Sequence, residues 1–251
     1  MRHRRFFIHG LLYVPYLWCR LTATGPFRSG AVDFLKEPVR PDDSSLKAAL
    51  FRHHVKQYHE ASCSVASVVT AVNAIRDVQG DRSRSITQSE ILQKVRTGYW
   101  QERMSSEGHN GRRGLPLPLL GEIVKSSLDI YGVAYKTVAT VSGAQDAASA
   151  EMKRRELRSR LIDFETKGDC LIIAHFGQGA FVRTLNIPHI SPVGGFDARS
   201  SHVTILDVDP DQDKPYRVPF DTFCKGIFSR YNPVLRLVGY RTGGYVYIKL
   251  A

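Results

Sequence analysis

The sequence predicts an α+β fold in which a helical first half packs on a mainly antiparallel sheet contributed by the second half. Before Gly168 the apolar residues recur at helical spacing, and beyond it short apolar runs alternate with Gly, Pro and Asp. Helices followed by strands indicate α+β architecture rather than alternating βαβ units. With 251 residues, 43% of them hydrophobic, the chain can build one packed domain of two lobes.

Taken in order, Arg2, His3, Arg4 and Arg5 precede an apolar, aromatic stretch closed by Arg20. This resembles a secretory signal or a short membrane anchor, yet His9, Gly10 and Pro15 interrupt it before the roughly 18 apolar residues of a spanning helix are reached. Membrane contact and a plain amphipathic extension both fit the positive flank. Location is therefore open: periplasmic or membrane-associated if the segment targets, cytoplasmic otherwise. Residues 22–45 carry Gly25, Pro26, Gly30, Pro38 and Pro41 and read as a linker or an extended arm over the surface, dividing the chain into 1–45 and a domain over 46–251.

From Cys63, the residues Val65, Val68, Val69, Val72 and Ile75 mark a buried helix with Ser62 as N-cap and Gly80 after its end. Thr87 and Glu90 form a capping box for a second helix to about Val95, and Leu119, Ile123, Leu128 and Tyr131 mark a third. The charged segment 146–166 reads as a fourth, exposed helix. Strands are expected over 171–176, 189–196, 203–208 and 245–250.

The charge is +11, from 35 basic and 24 acidic residues, and permits anionic partners without choosing among them. No nucleic-acid motif is present, so nucleic acid is not an expected partner. Arg112 with Arg113, and the run Lys153, Arg154, Arg155, Arg158 and Arg160, read as solvated helix faces. The four cysteines, Cys19, Cys63, Cys170 and Cys224, form no CxxC pair, which argues against a disulfide scaffold and a structural zinc site. Cys170 opens an apolar run and Cys224 lies in an expected helix, so both read as small buried hydrophobes.

Cys63 differs by its place in the first turn of a helix, where the helix dipole favours a thiolate. Gln57 stands six residues upstream, and its amide together with the Cys63 N–H offers two donors to an oxyanion. A base must come from the sheet half, where His175, His189 and His202 are the candidates. His189 is followed by Ile190, Ser191, Pro192, Val193, Gly194, Gly195 and Phe196, small residues that permit close approach. Eighteen residues on, Asp207 ends an apolar strand, where a lone carboxylate is costly without a partner such as an imidazole. Taken singly, the same residues have commonplace readings as an inert core thiol, a surface glutamine and satisfied structural histidines.

As a set they resemble the catalytic domain of the phytochelatin synthase family over about 46–231. The stretch from Gln57 to Ser67 resembles the family's run from oxyanion glutamine to nucleophile, residues 189–196 its histidine motif and residues 205–208 its aspartate motif. Gln178 fits the approach to the histidine strand. The resemblance implies a papain-like cysteine protease fold with Cys63, His189 and Asp207 as catalytic residues and Gln57 at the oxyanion. It implies cleavage of the Cys–Gly amide of glutathione through a γ-glutamylcysteinyl thioester, passed to water or to a second glutathione. No tightly bound cofactor and no catalytic metal are implied; cadmium or zinc enters as the glutathione thiolate complex. A homodimer is left open. Ser64 stands where the family often has Gly, and Val208, Asp209 and Pro210 replace a stretch that commonly carries an arginine. The chain also ends in an expected strand, without the cysteine-rich C-terminal region of the plant enzymes, so a short, bacterial-type form is the better match. Two other readings compete: a leader-type papain-like peptidase with His202 as base and Asp209 or Asp221 as its partner, and a non-catalytic basic binding protein.

Overall fold

The computed structural model describes residues 32–35 and 45–251 apart from 82, 144–145, 183–186 and 237–238, together with 14, 17 and 21. Apart from 14 and 17, the basic and aromatic stretch over 2–20, with Cys19, lies outside the described residues, as does most of the segment to 45. Among the described residues no helix is long and apolar enough to cross a membrane.

The strands are β1 (Asp33–Phe34), β2 (Tyr135–Ser142), β3 (Cys170–Gly177), β4 (Pro188–Asp197), β5 (His202–Ile205), β6 (Tyr216–Pro219) and β7 (Gly244–Leu250). They join in one antiparallel sheet in the order β1-β6-β5-β4-β3-β7-β2. Helices α1 (Leu46–Arg52), α2 (Cys63–Val78), α3 (Gln88–Lys94), α4 (Trp100–Met104) and α5 (Leu117–Ile130) come from the first half, as expected. The second half adds α6 (Ala147–Lys167), α7 (Phe220–Phe228) and α8 (Pro233–Arg236).

The interior strand β3 is buried at every position. Leu171 and Ile173 join a core with residues of α2, α3 and α5, while Ile172, Ala174 and Phe176 join a second core with Leu157 and Leu161 of α6 and Phe223 and Ile227 of α7. A sheet covered on both faces explains why this strand is a continuous apolar run instead of an alternating one. The capping box at Thr87 and Glu90 forms as predicted, and Gly168, at φ 63, closes α6 in the left-handed conformation that glycine accepts most readily.

Three features depart from the sequence reading. Helix α6 is not an exposed helix throughout, because Leu157, Leu161 and Phe164 are fully buried beneath its charged turns. Strand β2 lies at the sheet edge, and its half-exposed sequence carries no clear alternation. Finally, Asp33 and Phe34 pair with Arg217 and Tyr216, adding a further edge strand from before residue 45.

Two contacts set the site. Helix α2 packs on β4, where the Ser67 hydroxyl lies 2.8 Å from the Cys63 carbonyl and 2.9 Å from that of Ile190. The β4–β5 hairpin turns between Asp197 and His202, which face each other, and a register shift at Gly194 and Gly195 bends it. A Cβ at Gly194 would stand 2.7 Å from Leu206, and one at Gly195 2.9 Å from Glu165, so other chain segments fill the space those glycines leave.

Candidate active site

Cys63 is the first residue of α2 and only 8% exposed. Ser62 holds the N-cap position, but its side chain does not cap the helix: it accepts from the His59 N–H (3.1 Å) and donates to the His59 carbonyl (2.9 Å). The α2 N-terminus therefore keeps its first N–H groups, and the positive end of its dipole, directed at the Cys63 region.

Gln57 precedes this turn. Its backbone N–H donates to the Val208 carbonyl (2.8 Å), and its side-chain Oε1 is buried without a hydrogen-bond partner among the described residues. The adjoining Lys56 Nζ donates to the carbonyls of Asp207 (2.7 Å) and Gln212 (2.6 Å), and His54 Nε2 lies 3.1 Å from the Asp207 carbonyl. The loop before the nucleophile helix is thus stapled to the segment that carries Asp207.

His189, 4% exposed, opens β4. Continuing the register past Val193 and Ile205 sets Asp207 opposite Ser191, one hairpin away in sequence and two residues from His189 in space. His189 Nε2 lies 2.7 Å from Asp207 Oδ1, which leaves Nδ1 for the Cys63 thiol, a neighbour close enough to act on the same ring. Burial opposes charge on this imidazole, yet Asp207, with the thiol, raises its pKa to about 10. The fully buried Asp207 is held down at about 2 against the same burial, by His189 and by hydrogen bonds from the Tyr216 hydroxyl (2.6 Å) and the Asp209 N–H (2.9 Å). The Ser191 hydroxyl approaches Oδ1 at 3.5 Å, and the Phe176 ring meets the imidazole edge-on.

The structure brings Cys63, His189, Asp207 and the Gln57 loop together. It does not bring His202 to them. That ring sits at the far end of the hairpin, about 25 Å along β4 from His189, with Nδ1 bound to the Ser200 carbonyl (2.7 Å). Asp221 pairs with Arg154, and Asp209 accepts from Gln178, so neither meets His202. His175 is buried between the Leu115 carbonyl (3.0 Å) and the Tyr231 hydroxyl (2.8 Å). Burial pushes the Cys170 thiol up to about 11 and that of Cys224 to about 12, as befits core thiols. Arg112 and Arg113 lie in a loop between α4 and α5, not on a helix face, because Gly108, Gly111 and Gly114 all take positive φ there.

Sequence reasoning missed Tyr216 and Ser67. Tyr216 comes from β6, and nothing in its local sequence distinguishes it from a core aromatic. Ser67, one turn beyond Cys63, does sit at helical spacing for the same face. Among the described residues, no group of three or more His, Cys, Asp or Glu side chains is arranged to hold a metal ion.

A family model described as Phytochelatin synthase matches residues 29–229. A search of curated proteins finds no match.

Proposed function

The chain belongs to the phytochelatin synthase family, and on that premise we propose that it cuts the Cys–Gly amide of glutathione through a γ-glutamylcysteinyl thioester on Cys63. Membership carries γ-glutamylcysteine transfer from glutathione at the level of the family. The family's papain-like architecture agrees with a helical layer packed on an antiparallel sheet.

In this reading His189 takes the Cys63 proton, and the thiolate attacks the carbonyl carbon of the scissile amide. The Gln57 amide and the Cys63 N–H receive the oxyanion. As the tetrahedral intermediate collapses, the C–N bond breaks and His189 returns its proton to the leaving glycine amine. Water, deprotonated by the same imidazole, then releases γ-glutamylcysteine; alternatively the α-amine of a second glutathione takes the acyl group and lengthens the peptide. Asp207 keeps the ring oriented and stabilises the imidazolium. Cadmium or zinc enters as substrate, the thiolate complex of glutathione, and no resident cofactor is invoked.

What supports this reading most is a buried imidazole bound at 2.7 Å to a buried carboxylate beside a helix-starting thiol, an arrangement with no evident structural use. Incubation with glutathione, with and without cadmium, should release glycine from the wild type and none from Cys63→Ala. Mass spectrometry of the quenched wild type should show the γ-glutamylcysteinyl adduct on the peptide containing Cys63. Glycine release by Cys63→Ala, or an adduct on another residue, would overturn the proposal.

A further inference from the structure

Two stretches of irregular backbone meet at the site. Residues 54–57, between α1 and α2, and residues 206–215, between β5 and β6, belong to no helix or strand, yet the first carries Gln57 and the second Asp207. The hydrogen-bond ladders that fix helices and strands do not reach these positions, so side chains have to hold them. Lys56 supplies such a tie. Its Nζ donates to the carbonyls of Asp207 (2.7 Å) and Gln212 (2.6 Å), on either side of the turn at Pro210 and Asp211. An ammonium has three donors and no acceptor, which suits it to drawing two carbonyls onto one point.

The same tie reaches Gln57. Its side-chain Oε1 is buried without a hydrogen-bond partner among the described residues, so the direction of its amide is set from the main chain and not by a bond to that oxygen. The peptide unit between Lys56 and Gln57 is fixed at both of its polar groups: Gln88 Nε2 donates to the Lys56 carbonyl (2.8 Å), and the Gln57 N–H donates to the Val208 carbonyl (2.8 Å). His54 adds its Nε2 to the Asp207 carbonyl (3.1 Å), and facing a carbonyl that nitrogen carries the proton. Burial, and then the Lys56 charge, pulls the His54 pKa down to about 4, so the ring is neutral. Burial also lowers the pKa of Lys56, while Asp207, Asp209 and Asp213 support its charge. A half-buried ammonium is costly unless it is hydrogen-bonded, and both bonds that Lys56 Nζ makes among the described residues run to the loop of the triad acid.

We propose that Lys56 is a positioning residue for the reaction at Cys63, its ammonium setting the oxyanion amide of Gln57 and the carboxylate of Asp207 together. The inference rests on the function proposed above. Neither effect needs contact between Lys56 and substrate. Holding the Asp207 carbonyl fixes the backbone from which the carboxylate reaches His189, 2.7 Å away. Holding residue 56 against that loop fixes the point from which the Gln57 amide leaves the chain. Attack needs base and oxyanion donor in place at once, and a misplacement of about 1 Å costs on the order of a hundred-fold in rate.

Lys56→Met keeps an unbranched stem and removes the ammonium, and Lys56→Arg restores a cation that can serve two carbonyls. For glycine release from glutathione, Lys56→Met should lower kcat by about ten-fold while KM stays within about two-fold, and Lys56→Arg should recover most of the loss. Thermal melting sets the temperature at which every variant is assayed folded. Adding Lys56→Met to Gln57→Ala or to Asp207→Asn should cost only about three-fold, because part of what the ammonium positions is already gone. Nuclear magnetic resonance should show the His54 pKa rising in Lys56→Met and unchanged in Lys56→Arg, since the charge is lost only in the first. Alkylation of Cys63 by iodoacetamide, followed on its own peptide near neutral pH, should slow by about three-fold in Lys56→Met as His189 loses part of its support. Wild-type kcat in Lys56→Met, the same loss on every background, an unmoved His54 or an unchanged alkylation rate overturns the positioning role. If the wild type releases no glycine the proposed function falls, and the alkylation rate and the His54 shift then decide the role of Lys56 without it.

Discussion

His175 and His189 lie on neighbouring strands, where Phe176 faces His189 and His175 faces Ile190, and both are buried, at 0% and 4% exposure. Their chemistry is opposite. His175 meets a carbonyl and a tyrosine hydroxyl, and burial drives its pKa down to about 4, so it stays a neutral ring. His189 meets Asp207, and the attraction overcomes the same burial to raise its pKa to about 10. Burial alone predicts two neutral histidines. The difference comes from one carboxylate, and that carboxylate in turn is held by Tyr216 from another strand.

The comparison can be broken from the His189 side first. His189→Ala should lower glycine release by about a thousand-fold or more, because it removes the base and the acid of both half-reactions. Asp207→Asn keeps the shape but removes the charge, so His189 should lose most of its raised pKa and turnover should fall by roughly a hundred-fold. Nuclear magnetic resonance of the imidazole protons would follow that change, and a ring that remains charged above pH 7 in Asp207→Asn would mean another group holds it. Tyr216→Phe should cost about ten-fold, the order of one hydrogen bond to a charged group. Its signature is a pH–rate profile whose alkaline limb moves to higher pH, since a carboxylate that loses a donor holds the imidazolium more tightly, and a loss of folded protein would not produce that shift. On the His175 side, His175→Phe should leave the turnover of the folded enzyme within about two-fold. It should destabilise the chain by about 2 kcal/mol or more, since the Leu115 carbonyl and Tyr231 hydroxyl lose their partner.

The smallest effect sharpens the contrast through pH. His189, raised in the fold, contributes stability that is complete below its unfolded pKa near 6.5 and is lost as pH rises through about 10. His175, depressed in the fold, contributes stability that is complete above 6.5 and is lost as pH falls toward 4. Thermal melting should therefore be best near pH 6.5, with an alkaline decline that shrinks in Asp207→Asn and an acid decline that shrinks in His175→Phe.

Much of this was legible in the residue order. The helical run from Cys63, the capping box at Thr87 and the apolar run of β3 are local patterns, and local patterns need no knowledge of distant partners. The spacing of Gln57 and Cys63 and the resemblance of residues 189–196 and 205–208 to the family's motifs located the candidate site as well. What was not legible depends on long-range pairing. His175 and His189 are both histidines beside apolar residues, and only the return of the chain at Asp207 tells them apart. Tyr216 has the appearance of a core tyrosine until β6 sets it against that carboxylate. Arg112 and Arg113 read as a solvated helix face because the three positive-φ glycines around them act on the backbone without changing the charge pattern.

The hairpin that returns Asp207 to His189 has its turn, residues 198–201, at the end remote from the chemistry. The interval of eighteen residues is accordingly a measure of hairpin length and not a chemical requirement. Residues added in pairs at that turn should be inherited without penalty, whereas a single residue inserted in β5 would carry the acid to the opposite side of the sheet. Searches for distant relatives should therefore let this interval vary in even steps and fix the cross-strand position instead. An apparent mismatch in motif length is then no evidence of lost activity.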